Sequence, residues 1–187
     1  MPHAPDTVAT RAARIRLVLF DIDGVLTAGR VTIHHDGTES KDFFIRDGIA
    51  IVWAQRFGIR VGFLSARSAP TTPHRAAQLG VTLVYHGVSS KLATYETILR
   101  DEGLTDEEVA FMGDDIVDLA VLTRVGLATC PADAVVDVHH RVHWASQYAG
   151  GCGAGRELIE LILRAQHRWD EVLASYLDEP AVDSQKA

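Results

Sequence analysis

The chain has 187 residues, 47% apolar and 23% charged, with a formal net charge of −7. That length can bury one full core, and the acidity argues against a nucleic-acid or membrane surface as main partner. Two cysteines, Cys130 and Cys152, give neither a metal spacing nor a disulfide framework. No stretch approaches the roughly 18 apolar residues of a membrane span.

Residues 1–14 are polar, lack the apolar centre of a signal peptide, and read as a flexible leader to a cytoplasmic protein. Residues 178–187 read as a flexible tail, leaving one domain over 15–177. Leu17-Val18-Leu19-Phe20, with Asp21, predicts a fully buried strand over 17–21. Asp21 and Asp23 stand at i and i+2, so both carboxylates face one side, beyond a strand end where parallel sheets bind ligands. Two acids followed by Gly24 suit chemistry on a phosphate, although a single Asp there can equally cap a helix.

Asp36-Gly37 between 31–34 and 39–44 predicts a β-hairpin inserted at about 30–44. Asp47 is expected to cap a helix carrying Ile49, Val52, Trp53 and Phe57, with Gly58 ending it. A second core strand is expected over 59–64, a helix over 74–79 closed by Gly80, and a third strand over 83–85. Ser89 is expected to cap a helix that runs to about Arg100 and stops at Gly103. A fourth strand over 109–112 delivers Gly113-Asp114-Asp115; a short helix, a fifth strand over 126–128 and an amphipathic helix over 157–177 follow. Alternating strands and helices mean right-handed crossovers and a parallel sheet.

The expected strand ends carry Asp21/Asp23, then Ser65, then Asp114/Asp115, while Lys91 opens the helix after the third strand. This order resembles the haloacid dehalogenase superfamily of phosphatases. The implied fold is α/β: a doubly wound parallel sheet, a Rossmann-like haloacid dehalogenase core, with an inserted β-hairpin and no cap domain, since neither inter-motif gap holds one. The resemblance implies that Asp21 attacks phosphorus, Asp23 acts as acid and then base, and Ser65 and Lys91 hold phosphoryl oxygens. It implies Mg²⁺ held by Asp21, the Asp23 carbonyl and Asp114, with Asp115 and Asp118 orienting the metal waters and Lys91.

Within that superfamily, Asp21-Ile22-Asp23-Gly24-Val25-Leu26-Thr27, Phe44-Ile45-Arg46-Asp47-Gly48, Ser65-Ala66-Arg67, Arg75, Ser90-Lys91-Leu92, Gly113-Asp114-Asp115 and Gly150-Gly151-Cys152-Gly153-Ala154-Gly155-Arg156-Glu157 resemble the 3-deoxy-D-manno-octulosonate 8-phosphate phosphatases. The implied substrate is a phosphorylated sugar acid used in lipopolysaccharide synthesis. Asp23 and Lys91 would meet its phosphate end, Arg46, Arg67 and Arg75 its carboxylate, and Phe44, Ile45, Arg46, Asp47 and Gly48 would add backbone contacts.

The resemblance also implies a homotetramer built through the hairpins, with neighbouring subunits covering the active sites and the glycine-rich 150–155 belonging to a tail that closes over a site. The glycines of that segment suit close backbone approach or mobility, and by composition alone a flexible linker is the competing reading. The same chemistry on a nine-carbon ulosonate 9-phosphate stands as the alternative, and a catalytically weak binding or regulatory partner as the alternative of another class. His34, His35, His139, His140 and His143 lack a Cys or Glu to complete a second metal site.

Overall fold

The computed structural model describes residues 7–177. Six parallel strands form one sheet: β1 (Leu17–Phe20), β4 (Arg60–Ser65), β5 (Leu83–His86), β6 (Val109–Met112), β7 (Leu127–Cys130) and β8 (Trp144–Ala145), in the order β5-β4-β1-β6-β7-β8. The remaining pair, β2 (Thr32–Ile33) and β3 (Glu39–Ser40), is the antiparallel hairpin. Its Asp36 Oδ1 accepts the Thr38 N–H at 3.0 Å and Gly37 takes a positive φ of 82°. With His34 paired to Thr38, the loop is three residues ending on a left-handed glycine, not the two-residue turn that Asp-Gly alone suggests.

Alternation along β1 divides the core. Val18 and Phe20 pack with Val61, Phe63, Ala110 and Met112 under one helical layer, while Leu17 and Leu19 pack with Leu64, Val109 and Phe111 under the other. The first layer holds α1 (Val8–Ala13), α2 (Ile45–Arg56), α7 (Ala154–Ala165) and α8 (Trp169–Leu177), with Ala76 of α3 (Thr71–Gln78) reaching the same cluster; α4 (Lys91–Glu102) and α5 (Leu119–Leu122) cover the second. A short α6 (Val136–His139) precedes β8. From β1 the chain winds outward to β4 and β5, then returns to β6 on the other side of β1. The strand order therefore reverses between β1 and β6, which opens a crevice above their carboxyl ends.

Several boundaries differ from expectation. Residues 8–13 form a helix, capped by Thr7 and burying Ala12, where a flexible leader is expected; residues 1–6 and the expected tail 178–187 lie outside the described residues. Phe44, not Asp47, occupies the cap position of α2, and Asp47 sits inside its first turn. Ser90, not Ser89, caps α4 by accepting the Ala93 N–H at 3.2 Å. Helix α3 starts at Thr71, with Pro73 in its first turn, where a missing N–H costs nothing.

The expected helix 157–177 is two helices. His167 turns left-handed (φ 57°) between α7 and α8, and Arg168 N–H closes the stop on the Leu163 carbonyl at 2.8 Å. The expected fifth strand has an unexpected outer neighbour in two-residue β8, held through His143, whose Nδ1 accepts the Ala128 N–H at 2.9 Å.

Candidate active site

Strand β1 ends on Phe20 and delivers Asp21, whose N–H continues the ladder to the Met112 carbonyl at 3.0 Å. Beyond it the chain leaves regular geometry: Asp23 is extended and Gly24 is left-handed with φ 88°. A Cβ on Gly24 would lie 2.0 Å from Asp114 Oδ2. Gly24 thus permits both the turn and the approach of an acid delivered by β6.

The site's cation is Lys91, the first residue of α4. Its Nζ lies 3.0 Å from Asp21 Oδ2 and 2.5 Å from Asp118 Oδ1. The other Asp118 oxygen accepts the N–H groups of Asp114 and Asp115, at 3.0 and 3.3 Å. Fully buried Asp118 therefore ties the loop after β6 to the lysine, as a positioning group needs. Asp115 does not join it: that side chain is exposed and caps its own turn on the Ile116 N–H at 2.6 Å. Ser65 is buried at the end of β4, the strand that pairs with β1 on the side away from β6.

Electrostatics mark the same place. Burial pushes the Asp21 carboxyl up to about 6 against the pull of Lys91, with Asp118 adding to the rise. Asp114 is pushed up to about 7 by burial and then by Asp21, Asp118 and Asp115. Burial alone would depress Lys91, yet Asp21 and Asp118 outweigh it and hold the lysine above its ordinary value. Asp21 Oδ1 is buried without a hydrogen-bond partner.

Ligand oxygens of Asp21, Asp114 and Asp118 lie within 4.8 Å of one another, the one such His/Cys/Asp/Glu group among the described residues. An orphaned buried carboxylate oxygen, crowded acids and an all-oxygen donor set fit a hard divalent cation. Both Asp118 oxygens are engaged by the protein, so Asp21 and Asp114 are the two with capacity to spare. The histidines do not form a second such group; His139 Nδ1 sits 3.6 Å from Cys130 Sγ, and His34 Nε2 is 2.8 Å from Ser40 Oγ on the hairpin.

Asp23 faces the hairpin. Lys41 Nζ lies 2.8 Å from its carboxylate, and Arg67 Nη1 is 4.0 Å away. Arg67 in turn donates to Glu39 Oε2 at 2.5 Å, so a side chain of the protein already occupies one edge of its fork. Lys41 and Glu39 escaped sequence reasoning, because charges in a polar hairpin read as solvated. Their signal is the i, i+2 spacing, which puts both on one face.

The other expected substrate residues lie apart from the acids. Arg75 stacks on the Phe43 ring at 5.6 Å and covers Gly48, and the Gly48 N–H is spent on the Phe44 carbonyl. Arg46 lines a separate groove of about 230 Å³ with Phe44, Tyr148, Cys152 and Arg156. Ile45 is exposed. Asp47 reaches across to α7, accepting the Arg156 N–H at 2.7 Å.

The glycine-rich segment is packed, not a free linker: Gly151 N–H binds the Val25 carbonyl at 2.9 Å. A Cβ on Gly150 would lie 1.8 Å from the Gly24 carbonyl oxygen. The segment thus buttresses the loop that carries Asp21 and Asp23.

No protein-family model matches the chain. The 3-deoxy-D-manno-octulosonate 8-phosphate phosphatase KdsC of Escherichia coli is 38% identical over 170 residues, covering 91% of this chain and 90% of that protein. The chain belongs to that phosphatase family. The family is a branch of the haloacid dehalogenase superfamily, and the capless doubly wound core agrees with it.

Solved structures extend the likeness. A probable YrbI-family phosphatase from Pseudomonas syringae superposes with a TM-score of 0.91 at 36% identity, covering 92% of this chain and 98% of that one. The 3-deoxy-D-manno-octulosonate 8-phosphate phosphatase of Moraxella catarrhalis, in complex with magnesium, phosphate and KDO, has a TM-score of 0.89 at 28% identity, covering 90% and 97%.

Proposed function

We propose that this protein is a Mg²⁺-dependent phosphatase that hydrolyses 3-deoxy-D-manno-octulosonate 8-phosphate to the free sugar acid and phosphate. Family membership supplies the substrate class. The observation that carries the chemistry is the partnerless, buried Asp21 Oδ1 beside Lys91.

Lys91, held by Asp118, offers its charge to phosphoryl oxygens as they gain negative charge, with the Ser65 hydroxyl as a second donor. An Asp21 oxygen bonds to phosphorus as the bond from phosphorus to the sugar oxygen breaks, giving an aspartyl-phosphate. Asp23 gives a proton to that sugar oxygen, then accepts one from the water that attacks phosphorus, so free phosphate leaves and both acids are restored. Asp21, the Asp23 main-chain carbonyl and Asp114 would hold Mg²⁺, which when bound supplies Lewis-acid polarisation and neutralises the crowded carboxylates.

Arg67 alone of the three arginines lies within 4.0 Å of Asp23, so it is the one held inside the crevice that the substrate enters. A cytoplasmic role in lipopolysaccharide synthesis belongs to the same proposal; among the described residues no helix is long and apolar enough to cross a membrane. So does a homotetramer through the hairpin, supported by Ile33, which the hairpin leaves 73% exposed.

The test is phosphate release with Mg²⁺ from the eight-carbon ulosonate 8-phosphate, the nine-carbon 9-phosphate and simple sugar phosphates. Preference for the eight-carbon ester supports the proposal. Preference for the nine-carbon ester transfers the assignment to the longer substrate, and equal slow hydrolysis of all three overturns the named substrate.

A further inference from the structure

We infer that Lys41, on the hairpin, is the positioning residue for the proton-transfer carboxylate of Asp23. The inference rests on the acid and base role proposed for Asp23 and adds the group that aims it.

Asp23 stands on an irregular turn, where no helix or strand fixes its rotamer. Among the described residues, the hydrogen bond to its carboxylate comes from Lys41 at 2.8 Å; Arg67 at 4.0 Å is beyond hydrogen-bond reach. The Lys41 side chain is 1% exposed. Lysine is among the residues least often buried without a charge to meet, and a lysine that only solvated the hairpin would stay in water. Burying its long stem and ammonium costs side-chain entropy and hydration, and the Asp23 carboxylate is the charge it meets.

The neighbours form an ordered set. Glu39 and Lys41 project from one face of the hairpin's return arm, and Arg67 and Asp23 project from the ends of β4 and β1. The charges alternate from Glu39 to Arg67 to Asp23 to Lys41, with 2.5 Å at the first link, 4.0 Å at the second and 2.8 Å at the third. Glu39 keeps Arg67 drawn toward the hairpin, and Lys41 keeps Asp23 from closing the 4.0 Å gap to Arg67. Without Lys41, the nearest cation left to Asp23 is Arg67, and the carboxylate swings toward it and away from the scissile oxygen. Errors of about 1 Å in such placement cost up to ~10²-fold in rate.

Leaving groups of different basicity separate this from a structural role. A sugar alkoxide needs a proton as it departs, whereas 4-nitrophenolate leaves without one. Because kcat/KM reports the steps through aspartyl-phosphate formation, it reads the acid role without the later water step. In Lys41→Met, kcat/KM on the eight-carbon ulosonate phosphate should fall roughly 30-fold, with loss mainly in kcat, and on 4-nitrophenyl phosphate less than about 3-fold. Lys41→Arg should recover most of the loss.

Equal losses on both esters would overturn the inference and leave Lys41 a hairpin anchor. A rise in KM with kcat unchanged would also overturn it, making Lys41 a substrate contact. Asp23→Asn is the parallel measurement: a leaving-group bias there, absent in Lys41→Met, overturns the inference alone. No bias in Asp23→Asn overturns the acid role itself.

Discussion

Replacing Gly24 by Ala tests how the two acids are brought together. Two separate penalties are expected. At φ 88° an L-residue pays about 1–2 kcal/mol for left-handed backbone. The new Cβ would also stand 2.0 Å from Asp114 Oδ2, where an ordinary contact is about 3.5 Å, so the Asp114 carboxylate must retreat by well over 1 Å.

Gly58 is the internal control. Its φ of 82° is also left-handed, and it has nothing within 4 Å of its would-be Cβ. In urea unfolding Gly58→Ala should lose about 1–2 kcal/mol from the backbone alone, and Gly24→Ala more than that, because it must also displace the Asp114 carboxylate. Only Gly24→Ala should lose activity, by about 10²-fold or more in kcat/KM, together with Mg²⁺ affinity read by calorimetry. Equal, near-native activity in both variants would refute the reasoning that Asp114 is seated against the Gly24 backbone.

Other changes test the supports of the site. Asp118→Asn keeps an acceptor for the Asp114 and Asp115 N–H groups but takes the anion from Lys91. It should cost about 2 kcal/mol of stability and on the order of 10² in kcat, measured by unfolding and steady-state kinetics. Asp47 is raised by burial to about 6, so its protonated form is the one the fold favours, and stability falls as pH climbs from the unfolded carboxyl value toward that folded one. The loss amounts to about 3 kcal/mol. Asp47→Asn should remove this dependence, so its stability relative to the parent rises between about pH 4 and about pH 7; a difference constant with pH would contradict it.

How much of this was legible depends on how local each signal is. Leu17–Phe20 is buried on both faces, so its apolar run and the carboxylates behind it can be read directly. Asp114 and Lys91 follow the same logic, since each stands at an end of a regular element. The three-residue discrepancy at the start of α3 is different: Pro73 looks like a barrier unless it falls in the first turn, which is where it sits.

The break at His167 carries neither Gly nor Pro, and its left-handed geometry is imposed by packing α8 back onto Trp53, whose Nε1 donates to Tyr176 at 2.8 Å. Asp47 reads as a cap because acids favour helix starts; its real partner, the N–H of Arg156, is 109 residues away and no local pattern reports it. The glycines at 150–155 suit close approach and mobility alike in composition, and only the packing decides: Gly150 and Gly151 are required by backbone pressed against backbone. Lys41 and Glu39 stay hidden because their i, i+2 spacing puts both on one face without telling which face of a polar hairpin turns inward.

The most direct measurement is borohydride reduction of the enzyme during turnover of the eight-carbon substrate, followed by peptide mass analysis across residues 17–30. Borohydride converts an aspartyl-phosphate to homoserine. The account predicts homoserine at position 21, dependent on Mg²⁺ and on substrate. Full turnover with Asp21 unmodified, or modification at another carboxylate, would contradict it.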